Sequence, residues 1–153
     1  MNLVGTYPVK VDNKGRMRLP SKLLEKLGDG GTHGQFYIAR GVGKCLTLYT
    51  EEQWTKETNK LMKLDLNVTA NLFMVRDFYH HANDPVLDSA DRLNLTQLQL
   101  EAAEIKDEAI IYTFLNRIEI WSKENYKNKQ TLVLDDFGKM REQALASNKA
   151  EDE

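Results

Sequence analysis

Short alternations of apolar and polar positions, each closed by turn chemistry, recur along this chain. Val4 to Val11 alternates imperfectly and contains Pro8. That suits a strand at a sheet edge, because proline cannot donate to a ladder. Asp12 to Gly15 reads as a turn: Asp and Asn favour tight positions, and Gly15 supplies a positive φ without a Cβ penalty. Arg16-Met17-Arg18-Leu19 then alternates, predicting both arginines on one face and Met17 and Leu19 in the core. Pro20 suits the first turn of a helix whose buried stripe is Leu23, Leu24 and Leu27, and Gly28 stops it. Two strands, about Gln35–Arg40 and Cys45–Tyr49, joined by Gly41-Val42-Gly43-Lys44, complete a β-β-α-β-β unit.

Thr50 and Gln53 match a capping box and open a helix to roughly Lys63. A second helix is predicted from about Thr69 to Tyr79, with Leu72, Val75 and Tyr79 at helical spacing. The first unit then recurs from near His80. Residues 12–20, Asp12-Asn13-Lys14-Gly15-Arg16-Met17-Arg18-Leu19-Pro20, return as Asp88-Ser89-Ala90-Asp91-Arg92-Leu93-Asn94-Leu95-Thr96. Leu46-Thr47-Leu48-Tyr49-Thr50 returns as Ile118-Glu119-Ile120-Trp121-Ser122. Two similar units in one chain imply an internal pseudo-dimer. Thr96 and Gln99 form a capping box where the first unit has Pro20, so one helix-start device replaces another. From Ser122 the pattern is helical to about Ser147. The expected organisation is a first unit over 1–50, linking helices over 51–79, a second unit over 80–121, a C-terminal helix over 122–147 and a disordered acidic tail over 148–153.

Of 153 residues, 41% are hydrophobic and 29% charged, an ordinary soluble composition with length for a sizeable core. No apolar run approaches the ~20 residues of a membrane span, and the N-terminus lacks signal-peptide character. The lone Cys45, read as a core residue, rules out an internal disulfide, and a reduced cytoplasmic setting is expected. Asn67-Val68-Thr69 and Asn94-Leu95-Thr96 are then chance glycosylation triplets. The net charge of −2 hides an asymmetry: residues 1–50 carry eight Lys or Arg against three Asp or Glu, while residues 101–153 carry eight against twelve. A basic first unit favours a polyanionic partner if its charges share a face.

Asp-x-Lys-Gly-Arg-x-x-Leu-Pro, then a Leu-rich helix, Arg-Gly-x-x-x-Cys-Leu-x-Leu-Tyr and Trp54, resembles the MraZ family. Asn116-Arg117-Ile118-Glu119-Ile120-Trp121-Ser122 resembles it too, and the likeness covers residues 2 to about 126. The resemblance implies an α+β fold of two tandem swapped-hairpin, AbrB-like units, assembled into a ring-shaped homo-oligomer. It implies a nucleoid-associated transcriptional regulator that binds double-stranded DNA. The implied target is short, G-rich direct repeats before the division and cell-wall gene cluster, which contains its own gene. The family's DNA-contacting arginine corresponds to Arg16, with Arg92 at the equivalent place in the second unit.

The physical case agrees. A two-stranded β ribbon fits the major groove, and arginine pairs bidentately with guanine. Lys14, Arg16 and Arg18 on one hairpin face would supply groove and phosphate contacts, with Lys10 or Lys22 at the margin; Asp12 forms the turn or orients Arg16. The second copy departs: Ala90 stands for Lys14, Asp91 for Gly15, Asn94 for Arg18 and Thr96 for Pro20. Asp84, Asp88 and Asp91 around one arginine would repel phosphates, so DNA contact is expected to concentrate in the first unit. The plain alternative is a solvated strand face. His80-His81 with Asp84 lacks a full ligand set, with His33 and Cys45 distant in sequence, so neither metal nor cofactor is expected. Gly41-Val42-Gly43-Lys44-Cys45 fails phosphate-loop spacing. No nucleophile–base set marks an enzyme. A second reading is an antitoxin-like protein-interaction module with an exposed apolar or acidic C-terminal segment, although Leu132, Val133, Leu134 and Phe137 are expected to pack on the ring or on the second unit.

Overall fold

A computed structural model describes residues 2–28, 34–129 and 137–151. Its strands are β1 (Leu3–Lys10), β2 (Arg16–Arg18), β3 (Phe36–Arg40), β4 (Cys45–Thr50), β5 (Arg92–Asn94), β6 (Glu108–Leu115) and β7 (Arg117–Ser122). Its helices are α1 (Ser21–Leu27), α2 (Glu51–Met62), α3 (Thr69–His80), α4 (Gln97–Ala102), α5 (Lys123–Asn128) and α6 (Phe137–Glu151). The fold is mixed α+β. One antiparallel sheet runs β1-β6-β7-β4-β3, and a separate antiparallel ribbon joins β2 to β5.

Strands pair across the repeat. β1 of the first unit runs along β6 of the second, from Leu3 opposite Leu115 to Lys10 opposite Glu108. The second unit's counterpart of β1 approaches β3 in the same sense through the bridges Ile38–Asn83 and Gln35–Val86. β4 and β7, equivalent strands of the two units, meet at the centre. Pro8 does lie on a sheet-edge strand.

Burial follows the alternation. Met17, Leu19, Leu93 and Leu95 leave the ribbon for the main core and meet Phe36, Ile38, Leu46, Leu48, Ile111, Ile118 and Ile120 from the sheet. Leu23 and Leu27 of α1 close the same core, with Leu24 packed at its edge. On the sheet's other face Cys45 packs with Ile110 and Trp121. There too, Trp54 of α2 stacks on Tyr37 (centroids 4.8 Å apart) and on Phe78 of α3 (5.4 Å). Burial pushes the Cys45 thiol up to about 12, as expected of an inert core residue.

The two helix starts reach one end by different chemistry. At α4, Thr96 Oγ1 accepts from the Gln99 main chain (3.2 Å), and Gln99 Oε1 accepts from the Thr96 N–H (3.0 Å). At α1 the N-cap is Pro20, one position before the first helical residue, and it has no N–H to satisfy. Thr50 caps α2, but the Gln53 side chain reaches the Asn116 carbonyl instead of completing the box.

Four expectations change. β2 does not form a hairpin ladder with β1; an isolated Val11–Met17 bridge just past β1 is all that remains of it, because β1 takes β6 as its ladder partner and β2 takes β5. The first strand of the second unit shrinks to bridges, since α3 continues to His80 before the chain can extend. The C-terminal helix is two helices, α5 and α6, and α6 continues to Glu151. Phe137 does not pack on the second unit: it is 62% exposed, beside exposed Met140 and Leu145. Leu132, Val133, Leu134, His33 and residues 152–153 lie outside the described residues. Among those described, no helix is long and apolar enough to cross a membrane.

Gly15 gives the sharpest local prediction. It sits at φ +79, and a Cβ there would lie 2.7 Å from the Leu95 carbonyl oxygen. Its own carbonyl accepts the Leu95 N–H at 2.8 Å, so the position cannot move freely. Gly15→Ala is expected to lower stability by about 2 kcal/mol in urea unfolding. Asp91→Gly, at the equivalent φ of +59, should cost little.

Candidate nucleic-acid interface

Both Asp-x-x-x-Arg turns are built the same way. In the first, Asp12 Oδ1 accepts the main-chain N–H groups of Lys14 (3.0 Å) and Arg16 (2.9 Å), and Oδ2 accepts Arg16 Nε (2.8 Å). In the second, Asp88 Oδ1 accepts from Ala90 (2.9 Å) and Arg92 (2.9 Å), and Oδ2 accepts Arg92 Nε (2.8 Å). Main-chain bonds close each turn: Gly15 N–H to Asp12 O and Asp91 N–H to Asp88 O, both 3.0 Å. Replacing Gly15 by Asp91 therefore leaves the geometry intact. The reason is that Asp is among the few non-glycine residues that enter the left-handed region at modest cost. Because each guanidinium is tethered through Nε, its two Nη groups stay available; among the described residues none binds them.

The turns feed the two strands of the ribbon. Arg16 stands opposite Asn94, Met17 opposite Leu93 and Arg18 opposite Arg92. Leu95 N–H to Gly15 O (2.8 Å) and Leu19 N–H to Asp91 O (2.9 Å) extend the pairing at both ends. Since Met17 and Leu93 are fully buried, period-two geometry sends Arg16, Arg18, Arg92 and Asn94 to the opposite, outward face. Lys14 is exposed on the adjoining turn. Lys10, Arg16, Arg18 and Arg92 line one surface depression with Asp12, Asp107 and Glu108.

Thus the structure brings Arg16, Arg18 and Arg92 together and sets Lys14 beside them. Asp12 and Asp88 are turn-formers and tethers, and Gly15 and Pro20 shape the two ends of β2 and its exit. The second motif does not stand apart from the first; Arg92 faces Arg18 across the ribbon. Two residues on this surface escaped a precise sequence assignment. The sequence places Lys10 only at the margin and marks Asn94 only as a departure from Arg18. The repeat alignment held the signal for Asn94, but without the strand register its place opposite Arg16 was invisible. His80 and His81 end α3, with His81 Nδ1 3.5 Å from Asp77, and no described group of three or more His, Cys, Asp or Glu is placed to hold a metal.

The tethers set a pH dependence. The Arg16 main-chain N–H, aided by the Arg16 guanidinium and the Lys14 N–H, holds Asp12 below its ordinary 3.8 despite some desolvation. The Arg92 N–H, with Ala90 N–H and the Arg92 guanidinium, does the same for Asp88. A carboxylate depressed in the folded state adds stability above its unfolded value and loses it as pH falls through the folded one. In an NMR acid titration both carboxyls should protonate below 3.8. The stability gap between wild type and an Asp12→Asn/Asp88→Asn double variant should close over that same acidic window. A gap unchanged through it would remove the tethers from the account.

Comparison with known proteins meets this geometry. A family model described as "MraZ protein, putative antitoxin-like" matches residues 3–73 and 78–144. A transcriptional regulator MraZ of Caldicellulosiruptor saccharolyticus is 35% identical over 127 residues, 83% of this chain and 85% of that protein. One of Finegoldia magna is 34% identical over 137 residues, covering 88% and 92%, and one of Ligilactobacillus salivarius is 33% identical over 124 residues, covering 81% and 83%. The family model spans both Asp-x-x-x-Arg turns and the strands they feed, and the chain belongs to the MraZ family.

Proposed function

We propose that this protein is a sequence-specific DNA-binding transcriptional regulator that docks the β2–β5 ribbon in the major groove. The observation that carries the reading is the outward ribbon face, where three arginines share six residues of strand and two are tethered through Nε with their Nη groups unengaged among the described residues. A groove about 12 Å wide admits such a ribbon. Bidentate arginine–guanine pairs are worth ~1–3 kcal/mol of discrimination each. Lys14 and Lys10 supply phosphate contacts. The relatives' name as transcriptional regulators points the same way. The cross-unit strand pairing supports two tandem swapped-hairpin units, over 1–50 and 80–121, forming an intrachain pseudo-dimer.

The proposed target is short direct repeats in the promoter of the protein's own operon, within the division and cell-wall cluster, in the cytoplasm at the nucleoid. Asp107 and Glu108 beside the arginines weaken the local field, so one protomer would bind loosely. A homo-oligomeric ring would offset this by repeating the ribbon in one sense, raising the effective concentration for each further repeat.

A second reading has its own observation. α6 leaves Phe137, Met140 and Leu145 exposed, which suits an antitoxin-like segment that orders on a protein partner. Deleting 137–153 should then abolish partner capture while leaving DNA binding intact.

Fluorescence anisotropy across a salt series separates the two readings, using a promoter fragment from the protein's own operon and a scrambled duplex. Arg16→Ala and Arg92→Ala should each weaken the promoter complex about 5- to 100-fold and erase its preference over the scrambled duplex. Lys14→Ala should weaken both duplexes alike and flatten the salt slope by about one. Loss only with Arg16→Ala would restrict recognition to the first unit. Absence of promoter preference in the wild type at low salt would transfer the function to α6.

A further inference from the structure

The ribbon carries one reader twice and breaks the symmetry at one outward position. A half-turn about the ribbon's centre exchanges Arg16 with Arg92, Met17 with Leu93, and Arg18 with Asn94. The first exchange is like for like, including tethers of 2.8 Å from Nε to Asp12 or Asp88. The second swaps one fully buried apolar side chain for another. Only the third changes chemistry on the outward face, a guanidinium for a carboxamide.

That change alters what can be read. A guanidinium offers donors and no acceptor, so it suits the N7 and O6 acceptors of guanine. A carboxamide offers both, matching the N7 acceptor and N6 donor of adenine. The Asn94 side chain is exposed and has no hydrogen-bond partner among the described residues. Its main chain is nonetheless held. Asn83 Nδ2 donates to the Asn94 carbonyl at 3.2 Å, and Asn83 Oδ1 accepts from Gln99 Nε2 at 2.6 Å. Gln99 is fully buried at the start of α4, where its carboxamide also donates to the His81 carbonyl (2.8 Å). A fixed backbone under an unengaged amide is the arrangement a base reader requires.

We infer that Asn94 is a specificity-determining residue that reads adenine, and that the Arg18/Asn94 mismatch gives the ribbon a direction on DNA. This rests on the ribbon being the DNA-contacting face. A ribbon with Arg at both positions would see the same pattern in either orientation and fit a palindromic element. With one guanidinium and one carboxamide, it fits an element that has polarity, and only such an element makes a direct repeat distinct from an inverted one.

The test is selection and sequencing from duplexes carrying a randomised window about one helical turn (~10 bp) long. Wild-type protein should enrich an asymmetric motif with guanines and one adenine position. Asn94→Ala should lose about 5- to 100-fold of discrimination at that adenine alone. Asn94→Arg should replace it by guanine and make the motif nearly symmetric. Arg18→Asn should add an adenine preference at the mirrored position. If the Asn94 variants enrich the wild-type motif, the inference is overturned while DNA binding stands. If wild type and Arg16→Ala alike enrich nothing, the underlying DNA reading fails with it. A readout without any protein variant uses wild type and a probe with 7-deazaadenine at the adenine position. Weakened binding supports the Asn94 contact, and unchanged binding overturns it.

Discussion

In each turn a single carboxylate accepts two main-chain N–H groups and one arginine Nε, and most of what surrounds the ribbon depends on that arrangement. It closes the turn, starts the strand and aims the arginine within five residues. A neutral acceptor could satisfy one or two of these donors, but the charge-assisted bond to Nε is what fixes the guanidinium beside the turn. The strand it starts is only three residues long, too short to persist alone. Its stability comes from the second copy of the same device, whose strand pairs with it, and from Met17 and Leu93 beneath. Each of those side chains contributes about 1.5–3 kcal/mol by leaving water.

Joining both copies in one chain removes the translational cost of pairing two separate hairpins. It also lets the copies diverge. The second turn has lost its glycine and its lysine, and its helix cap has changed from Pro20 to Thr96 with Gln99. Each replacement preserves a physical requirement: Asp91 tolerates the left-handed φ, and the Gln99 side chain accepts the N–H that proline lacks. The mainly apolar interior, from Phe36 to Ile120, is common property of both units, so neither can be removed without exposing the other's core.

Much of this was legible in the sequence. Asp-x-x-x-Arg marks a turn whose donors and acceptor are all local, so residue identity alone specifies it. The alternation Arg16-Met17-Arg18-Leu19 states which side chains are buried, and Met17 and Leu19 are. Cross-unit pairing was not legible, because a three-residue strand carries no code for its partner and β1 with β2 was an equally good hairpin on paper. Spacing does place α3, but not how it is held: the helix has no fully buried residue despite Leu72 and Val75, and Phe78 stacks laterally on Trp54. The helix end falls within one residue of the expected Tyr79; what alignment to the first unit overstates is the strand after it, which is reduced to bridges at Asn83 and Val86.

One local cost remains to be explained. Arg18 and Arg92 lie directly opposite each other, and like charges in that position destabilise a sheet. Asp88 screens Arg92 through Nε, but among the described residues no carboxylate forms an ion pair with Arg18. A scaffold selected for stability alone would place Thr or Val on this face. The arrangement makes sense if the opposing charge arrives from outside, because a polyanion entering between the two guanidiniums relieves a repulsion that the isolated protein carries. In such a complex the unfavourable pair would become part of the binding energy. The same repulsion is absent at the other end of the ribbon, where Arg16 faces the neutral Asn94, so the two ends differ in charge as well as in hydrogen-bonding pattern.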